Sequence, residues 1–203
     1  MSKDLGLHYF FDFDGTLFNP SEGIEQAIRV SCSQIDLYIS EESLREIISN
    51  LGPPIHVMMK NFAGNRLSEF VAAFRSNYDN HFCSYGYFYP RSVSTLVDLK
   101  KRYNHSLYLL TNKPIKPLKK ILSRESELAN IFSELLCIDY PYSNLPKAKR
   151  LANYIAKHSI SPSSCVVYGD TFDDFNAATT NDVKFVGFTK KDLSTNIFDF
   201  ISL

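Results

Sequence analysis

Phe10-Phe11-Asp12-Phe13-Asp14-Gly15-Thr16-Leu17 ends a short apolar run in two carboxylates and a glycine. His8 and Tyr9 stand ahead of it. A short apolar run closed by a glycine turn reads as a buried strand. On an extended chain, side chains two residues apart point to the same side. Asp12 and Asp14 are therefore expected together at the strand end. Gly15 lets the chain turn closely past whatever the two acids hold. Paired acids make a poor core and a good site for a hard cation. The bland alternative is a strand-terminal turn with solvated aspartates.

Outward from this stretch, residues 19–85 carry helical periodicity and little alternation. Ser21 is placed to cap a first helix, with Ile24, Ala27 and Ile28 along one face. Ser40-Glu41-Glu42-Ser43 opens a second. Asn50-Leu51-Gly52-Pro53-Pro54 is a strong break, and the Gly-Pro turn is expected to be rigid and closely packed. Helical periodicity resumes over 55–62 and again over 67–82, where Phe70, Phe74 and Tyr78 recur every four residues. Beyond Tyr89-Pro90 strands and helices alternate. Strands are expected at Ser106–Leu110, Leu135–Ile138, Cys165–Tyr168 and Lys184–Phe188. Helices are expected at Ser92–Arg102, Lys116–Leu122, Ala148–Lys157, Asp173–Thr180 and Ser194–Ile201. The pattern predicts an α/β fold: a Rossmann-like parallel sheet flanked by helices, built from 1–18 and 86–203, with four helices inserted at 19–85. Ligands of such sheets bind outside the carboxyl ends of the strands.

Three further clusters fall at those ends. Thr111-Asn112-Lys113-Pro114 follows the strand Ser106–Leu110. A hydroxyl and free backbone N–H groups at a helix start suit a phosphate oxygen. Leu145-Pro146-Lys147-Ala148-Lys149-Arg150 opens a helix. Tyr168-Gly169-Asp170-Thr171-Phe172-Asp173-Asp174 follows the strand Cys165–Tyr168. Three acids within five residues repel one another without a cation, and Mg²⁺ accepts an all-oxygen set. Asp173 suits the positive end of the following helix.

DFDGTL at 12–17, TNKP at 111–114, the Lys147 segment and GDTFDD at 169–174 stand in the order of the four motifs of the haloacid dehalogenase (HAD) superfamily of phosphatases, which the chain resembles over nearly its whole length. LGPP and KFVGFT add a likeness to its phosphoglycolate phosphatase-like subgroup. The resemblance implies Asp12 as nucleophile and Asp14 as general acid/base. It implies Lys147, with Lys149 as fallback, as the lysine that neutralises nucleophile and phosphate. Thr111, Asn112 and Gly15 are implied as the phosphate cradle, and Asp12, Asp14, Asp170 and Asp174 as the Mg²⁺ site. The insert resembles a helical cap of the C1 type. Pro90-Arg91-Ser92-Val93 departs from the subgroup's Pro-Gly-Val. The implied activity is hydrolysis of a small phosphate monoester through an aspartyl-phosphate. A phosphosugar mutase, a pyrophosphatase and a catalytically weak binding or regulatory protein on the same scaffold are the alternatives.

Composition narrows the partners. Lys+Arg and Asp+Glu are equal, at 22 each in 203 residues, so no global field favours nucleic acid or an anionic membrane. No apolar run approaches membrane-spanning length, and the N-terminus lacks the apolar segment of a signal peptide. Cys32, Cys83, Cys137 and Cys165 form no CxxC pair, which fits reduced thiols and a cytoplasmic protein. The expected partner is a small phosphorylated metabolite, met by a monomer or homodimer. His56, Lys60 and Arg66 in the insert are candidates to meet an anionic substrate, against the more common solvated helix face.

Overall fold

A computed structural model of the chain describes residues 6–102, 105–128, 130–142 and 144–188. In chain order the elements are β1 (His8–Phe11), β2 (Phe18–Asn19), α1 (Ser21–Gln34), α2 (Glu41–Ser49), α3 (Ile55–Met58), α4 (Lys60–Ala63), α5 (Leu67–Asn77), β3 (Tyr87–Phe88), α6 (Ser92–Lys101), β4 (Ser106–Leu110), α7 (Ile115–Leu122), β5 (Phe132–Leu136), α8 (Lys147–Lys157), β6 (Cys165–Gly169), α9 (Phe172–Thr180) and β7 (Lys184–Gly187). The helix expected at Ser194–Ile201 lies outside the described residues. The chain divides into two compact units, one of residues 1–19 with 88–203 and one of residues 20–87.

The first unit is a five-stranded sheet in the order β5-β4-β1-β6-β7, in which neighbouring strands pair in parallel. β1 is central: Phe11 lies opposite Leu109 of β4 and Tyr168 of β6. Alternation along the strands sorts the core into two faces. Phe10, Tyr108, Leu110, Leu136, Cys165 and Val167 form one apolar cluster with Leu151, Tyr154 and Ile155 of α8 and Ala177 and Ala178 of α9. Tyr9, Phe11, Leu107, Leu109, Val166 and Tyr168 alternate onto the other face and are also buried. Burial on both faces is why these strands read as unbroken apolar runs. The chain runs from β1 to β4 and β5 on one side, then crosses to β6 and β7 on the other. The neighbours of β1 are thus the switch point at which such sheets bind ligands.

The second unit is helical. Ser40 caps α2 by accepting from the Ser43 amide at 3.1 Å. α1 starts otherwise than expected: Pro20 occupies the cap without a side-chain bond and Ser21 lies inside the helix. The helix expected over 55–62 is two short ones, because Met59 lies between α3 and α4 as the cap of both. Phe70, Phe74 and Tyr78 stack at 6.1 and 5.5 Å between ring centroids, and a π-helical turn at Tyr78–Phe82 follows α5. The Gly52 turn is not closely packed: a Cβ added there meets nothing within 4 Å. Outside the alternating pattern, β2 and β3 pair as a two-stranded ribbon.

Candidate active site

The loop after β1 is built on Phe13. Its carbonyl accepts the amides of Thr16, Leu17 and Phe18 at 3.3, 2.9 and 3.0 Å, and its buried ring stacks on Phe18 at 5.5 Å. The Asp12 amide still belongs to the sheet, donating to the Tyr168 carbonyl at 2.8 Å. Asp12 is buried, 6% exposed. Gly15 has φ of +85°, and a Cβ there would fall 2.3 Å from Asp170 Oδ2. Glycine at this position is therefore required twice, by its backbone and by the closeness of Asp170. Thr16, fully buried, donates to Asp170 Oδ1 at 2.9 Å.

Asp12, Asp170 and Asp174 form one acidic cluster, with a carboxylate oxygen of each within 4.8 Å of the others. Lys147, the first residue of α8, lies buried against it. Its Nζ is 2.6 Å from Asp174 Oδ1 and 3.2 Å from Asp12 Oδ1. Burial pushes the ammonium's pKa down, but Asp12 and Asp174 outweigh burial and raise it, so it stays charged. Lys149, the alternative lysine, is exposed. Burial, reinforced by Asp12, pushes the Asp170 carboxyl up to about 6. The Asp174 carboxyl is raised as well, by burial and then by Asp12. Asp174 is fixed by a capping box at the start of α9. Its Oδ2 accepts from the Thr171 hydroxyl at 2.6 Å and the Thr171 amide at 3.1 Å.

Three clustered carboxylates, two of them buried and Asp170 half-buried, against one ammonium leave two negative charges uncompensated. Raised carboxyl pKa values are the sign of that imbalance. An all-oxygen cluster short of two positive charges fits a hard divalent cation.

Asp14 stands apart from this cluster. The strand ends at Phe11, so the alternation that would align Asp14 with Asp12 has already stopped. Lys113, which the motif reading left without a role, holds Asp14 instead. The buried Nζ lies 2.9 and 2.6 Å from its two carboxylate oxygens and 5.8 Å from the Phe13 ring centroid. Thr111 is buried at the end of β4, its hydroxyl accepting from the Lys113 amide at 3.2 Å. The first amide of α7 is already taken: Ile115 donates to Asp139 Oδ1 at 2.9 Å. Asn112 ties the loops together, donating to Asp173 Oδ2 at 2.8 Å and accepting from Arg150. In the helical unit Arg66 is paired with Glu69 at 2.9 Å, and His56 and Lys60 are exposed.

A parallel α/β sheet with an aspartate-lined, cation-seeking site at its switch point defines a Rossmann-type hydrolytic scaffold. The family model described as haloacid dehalogenase-like hydrolase matches residues 9–188, and the chain belongs to that family. A 5'-nucleotidase of Pseudomonas aeruginosa is 23% identical over 91% of this chain and 85% of its own. A phosphoglycolate phosphatase of Aliivibrio fischeri is 24% identical over 88% of this chain and 81% of its own. The crystal structure of a predicted phosphatase from Clostridium acetobutylicum superposes with a TM-score of 0.77 at 22% identity, covering 98% of this chain and 99% of that one.

Proposed function

We propose that this hydrolase cleaves a small phosphate monoester with Mg²⁺, through an aspartyl-phosphate on Asp12. Its enzyme class is phosphoric monoester hydrolase, the class to which both curated relatives belong by name. The observation that carries the reading is the cluster of Asp12, Asp170 and Asp174, with the buried Lys147 paired to Asp12 and Asp174.

In this reading an Asp12 oxygen attacks phosphorus in line while the ester P–O bond breaks. Asp14 gives its proton to the leaving oxygen. Water then attacks the aspartyl-phosphate, its proton returns to Asp14, and the bond to Asp12 breaks to free phosphate. Both aspartates end as they began. Lys147 holds the Asp12 carboxylate and lies where it can neutralise a phosphoryl oxygen. The Thr111 hydroxyl and the backbone near Gly15 cradle the phosphate. A divalent cation held by Asp12, Asp170 and Asp174 supplies further neutralisation of the phosphoryl oxygens. The helical unit acts as a cap that selects substrate, and its choice lies among small phosphorylated metabolites of the kind the relatives' names indicate.

The test is phosphate release from p-nitrophenyl phosphate and a panel of phosphorylated metabolites, with Mg²⁺ and with chelator. Hydrolysis that needs Mg²⁺, and that Asp12→Asn lowers at least about a thousandfold in a folded protein, is the expected result. Activity of Asp12→Asn within about tenfold of wild type would remove the aspartyl-phosphate from the mechanism.

A further inference from the structure

Arg150 is fully buried, yet the proposed chemistry gives it no step. It lies one helical turn from Lys147 on α8. Its Nη1 donates to the Thr111 carbonyl at 2.6 Å and to the Leu136 carbonyl at 2.7 Å. Its Nε donates to the Leu145 carbonyl at 3.1 Å, and its Nη2 to Asn112 Oδ1. All four acceptors are neutral oxygens. Among the described residues no carboxylate forms an ion pair with it.

A guanidinium buried without a carboxylate partner is costly. Neutral donors would satisfy the same carbonyls at less cost, so the retained charge calls for a role. The location supplies one. Thr111 and Leu136 stand at the carboxyl ends of β4 and β5. There the last carbonyls put partial negative charge beside the loop that is to hold a dianionic phosphate. Backbone oxygens at that edge repel such a ligand unless something cancels them. Burial lowers the guanidinium's pKa, while Asp173 and Asp12 act on its charge from beyond contact distance.

We infer that Arg150 is a positioning residue for phosphate binding: it cancels the strand-end carbonyls of Thr111 and Leu136 and, through Asn112, fixes the Thr111 loop. This rests on the phosphatase reading, because it presumes that Thr111 borders the phosphate.

Two variants separate charge from bonding. Arg150→Lys keeps the charge and loses the fork. Arg150→Gln keeps donors and loses the charge. For each, the inhibition constant of inorganic phosphate, the KM and kcat for p-nitrophenyl phosphate, the Mg²⁺ concentration for half-maximal activity and the melting temperature are measured. Arg150→Gln is expected to raise the phosphate inhibition constant and KM together by about tenfold, with kcat falling less, while Arg150→Lys stays within about threefold of wild type. The half-saturating Mg²⁺ concentration in Arg150→Gln should stay level or fall, since removing a cation cannot repel another. A residue needed only for folding would weaken phosphate and metal together. Equal phosphate affinity in the Lys and Gln variants would overturn the inference. So would parallel loss of phosphate and metal affinity, or failure of both variants to fold. If the wild type hydrolysed no phosphoester at all, the failure would be that of the phosphatase reading instead.

Discussion

Lys113 and Arg150 are the two charged residues whose importance becomes visible only in three dimensions. In the sequence, Lys113 is a cation after a strand and Arg150 is one of three cations in Lys147-Ala148-Lys149-Arg150. Composition treats such residues as solvated, and only tertiary contact shows that Lys149 is exposed while Lys147 and Arg150 are buried. That Asp12, Asp170 and Asp174 would come together was legible because they follow two apolar strand-like runs in the order of the family motifs. Thr16 was not, because a hydroxyl after a Gly turn is ordinary until Asp170, far away in sequence, arrives beside it. If Lys113 holds Asp14 for proton transfer, Lys113→Met should lower kcat at least about tenfold and move KM much less. Steady-state kinetics on p-nitrophenyl phosphate decide it, and an unchanged kcat would remove Lys113 from the mechanism. Asp170 supplies a pH dependence. Its folded pKa is raised to about 6 from an ordinary 3.8, burial being the first cause. The folded state therefore holds this proton to higher pH than the unfolded chain does. In metal-free protein this carboxyl opposes folding above pH 6, and that opposition fades as pH falls toward 4. A divalent cation must displace the proton below pH 6. The rise in melting temperature produced by Mg²⁺ should thus be larger at pH 7.5 than at pH 5.5, as calorimetry with and without chelator would show. A shift of equal size at both values would mean that Asp170 does not meet the metal.

The central strands β1, β4 and β6 were readable because they are buried almost throughout, LYLL and CVVY being unbroken apolar runs. β5 was only half visible, since Ser133 and Glu134 break its pattern. β2 and β3, two residues each, are too short to carry any periodicity. α9 was placed within a residue of its start, and its Thr171 capping box had a recognisable sequence signature. The split at Met59 was not readable, because periodicity continues across a single non-helical residue. α6 offers a test of backbone strain. Arg91, its cap, has φ of +65° in the left-handed region, at the place where the phosphoglycolate phosphatase-like pattern carries glycine. A residue with a Cβ costs about 1 kcal/mol or more in that conformation. The backbone bonds there, Thr95 N–H to Arg91 carbonyl at 2.9 Å among them, need no side chain at 91. Arg91→Gly should therefore stabilise the protein by about 0.5–1 kcal/mol in denaturant melts. A loss of stability would show that the Arg91 side chain contributes more than its backbone strain costs.

Across the whole chain the chemistry and the helices are segregated. Asp12, Asp14, Thr111, Lys113, Lys147, Asp170 and Asp174 all belong to the unit of residues 1–19 and 88–203, and residues 20–87 contribute none of them. That unit also has its own apolar core. Its two crossing strands leave and return side by side: the Tyr89 amide donates to the Leu17 carbonyl at 3.0 Å, and the Phe18 and Phe88 rings lie 5.2 Å apart. Chain ends held this close can be rejoined by a short link, so residues 20–87 can be excised and replaced by Asn-Gly. If the helical unit governs selection and the sheet unit governs chemistry, the excised protein should fold and bind Mg²⁺. It should retain measurable hydrolysis of p-nitrophenyl phosphate, whose small leaving group asks little of a selecting unit. The spread of kcat/KM across a panel of phosphorylated metabolites should collapse toward a common low value, because discrimination is differential binding of the transition state and its source would be gone. Circular dichroism and a melting curve establish that the excised protein is folded before its kinetics are compared. A folded variant that hydrolyses nothing would place part of the chemistry in residues 20–87. A folded variant that still ranks the metabolites as the full chain does would place selection in the sheet unit, with the exposed side chains of Phe172 and Tyr140 the first to test.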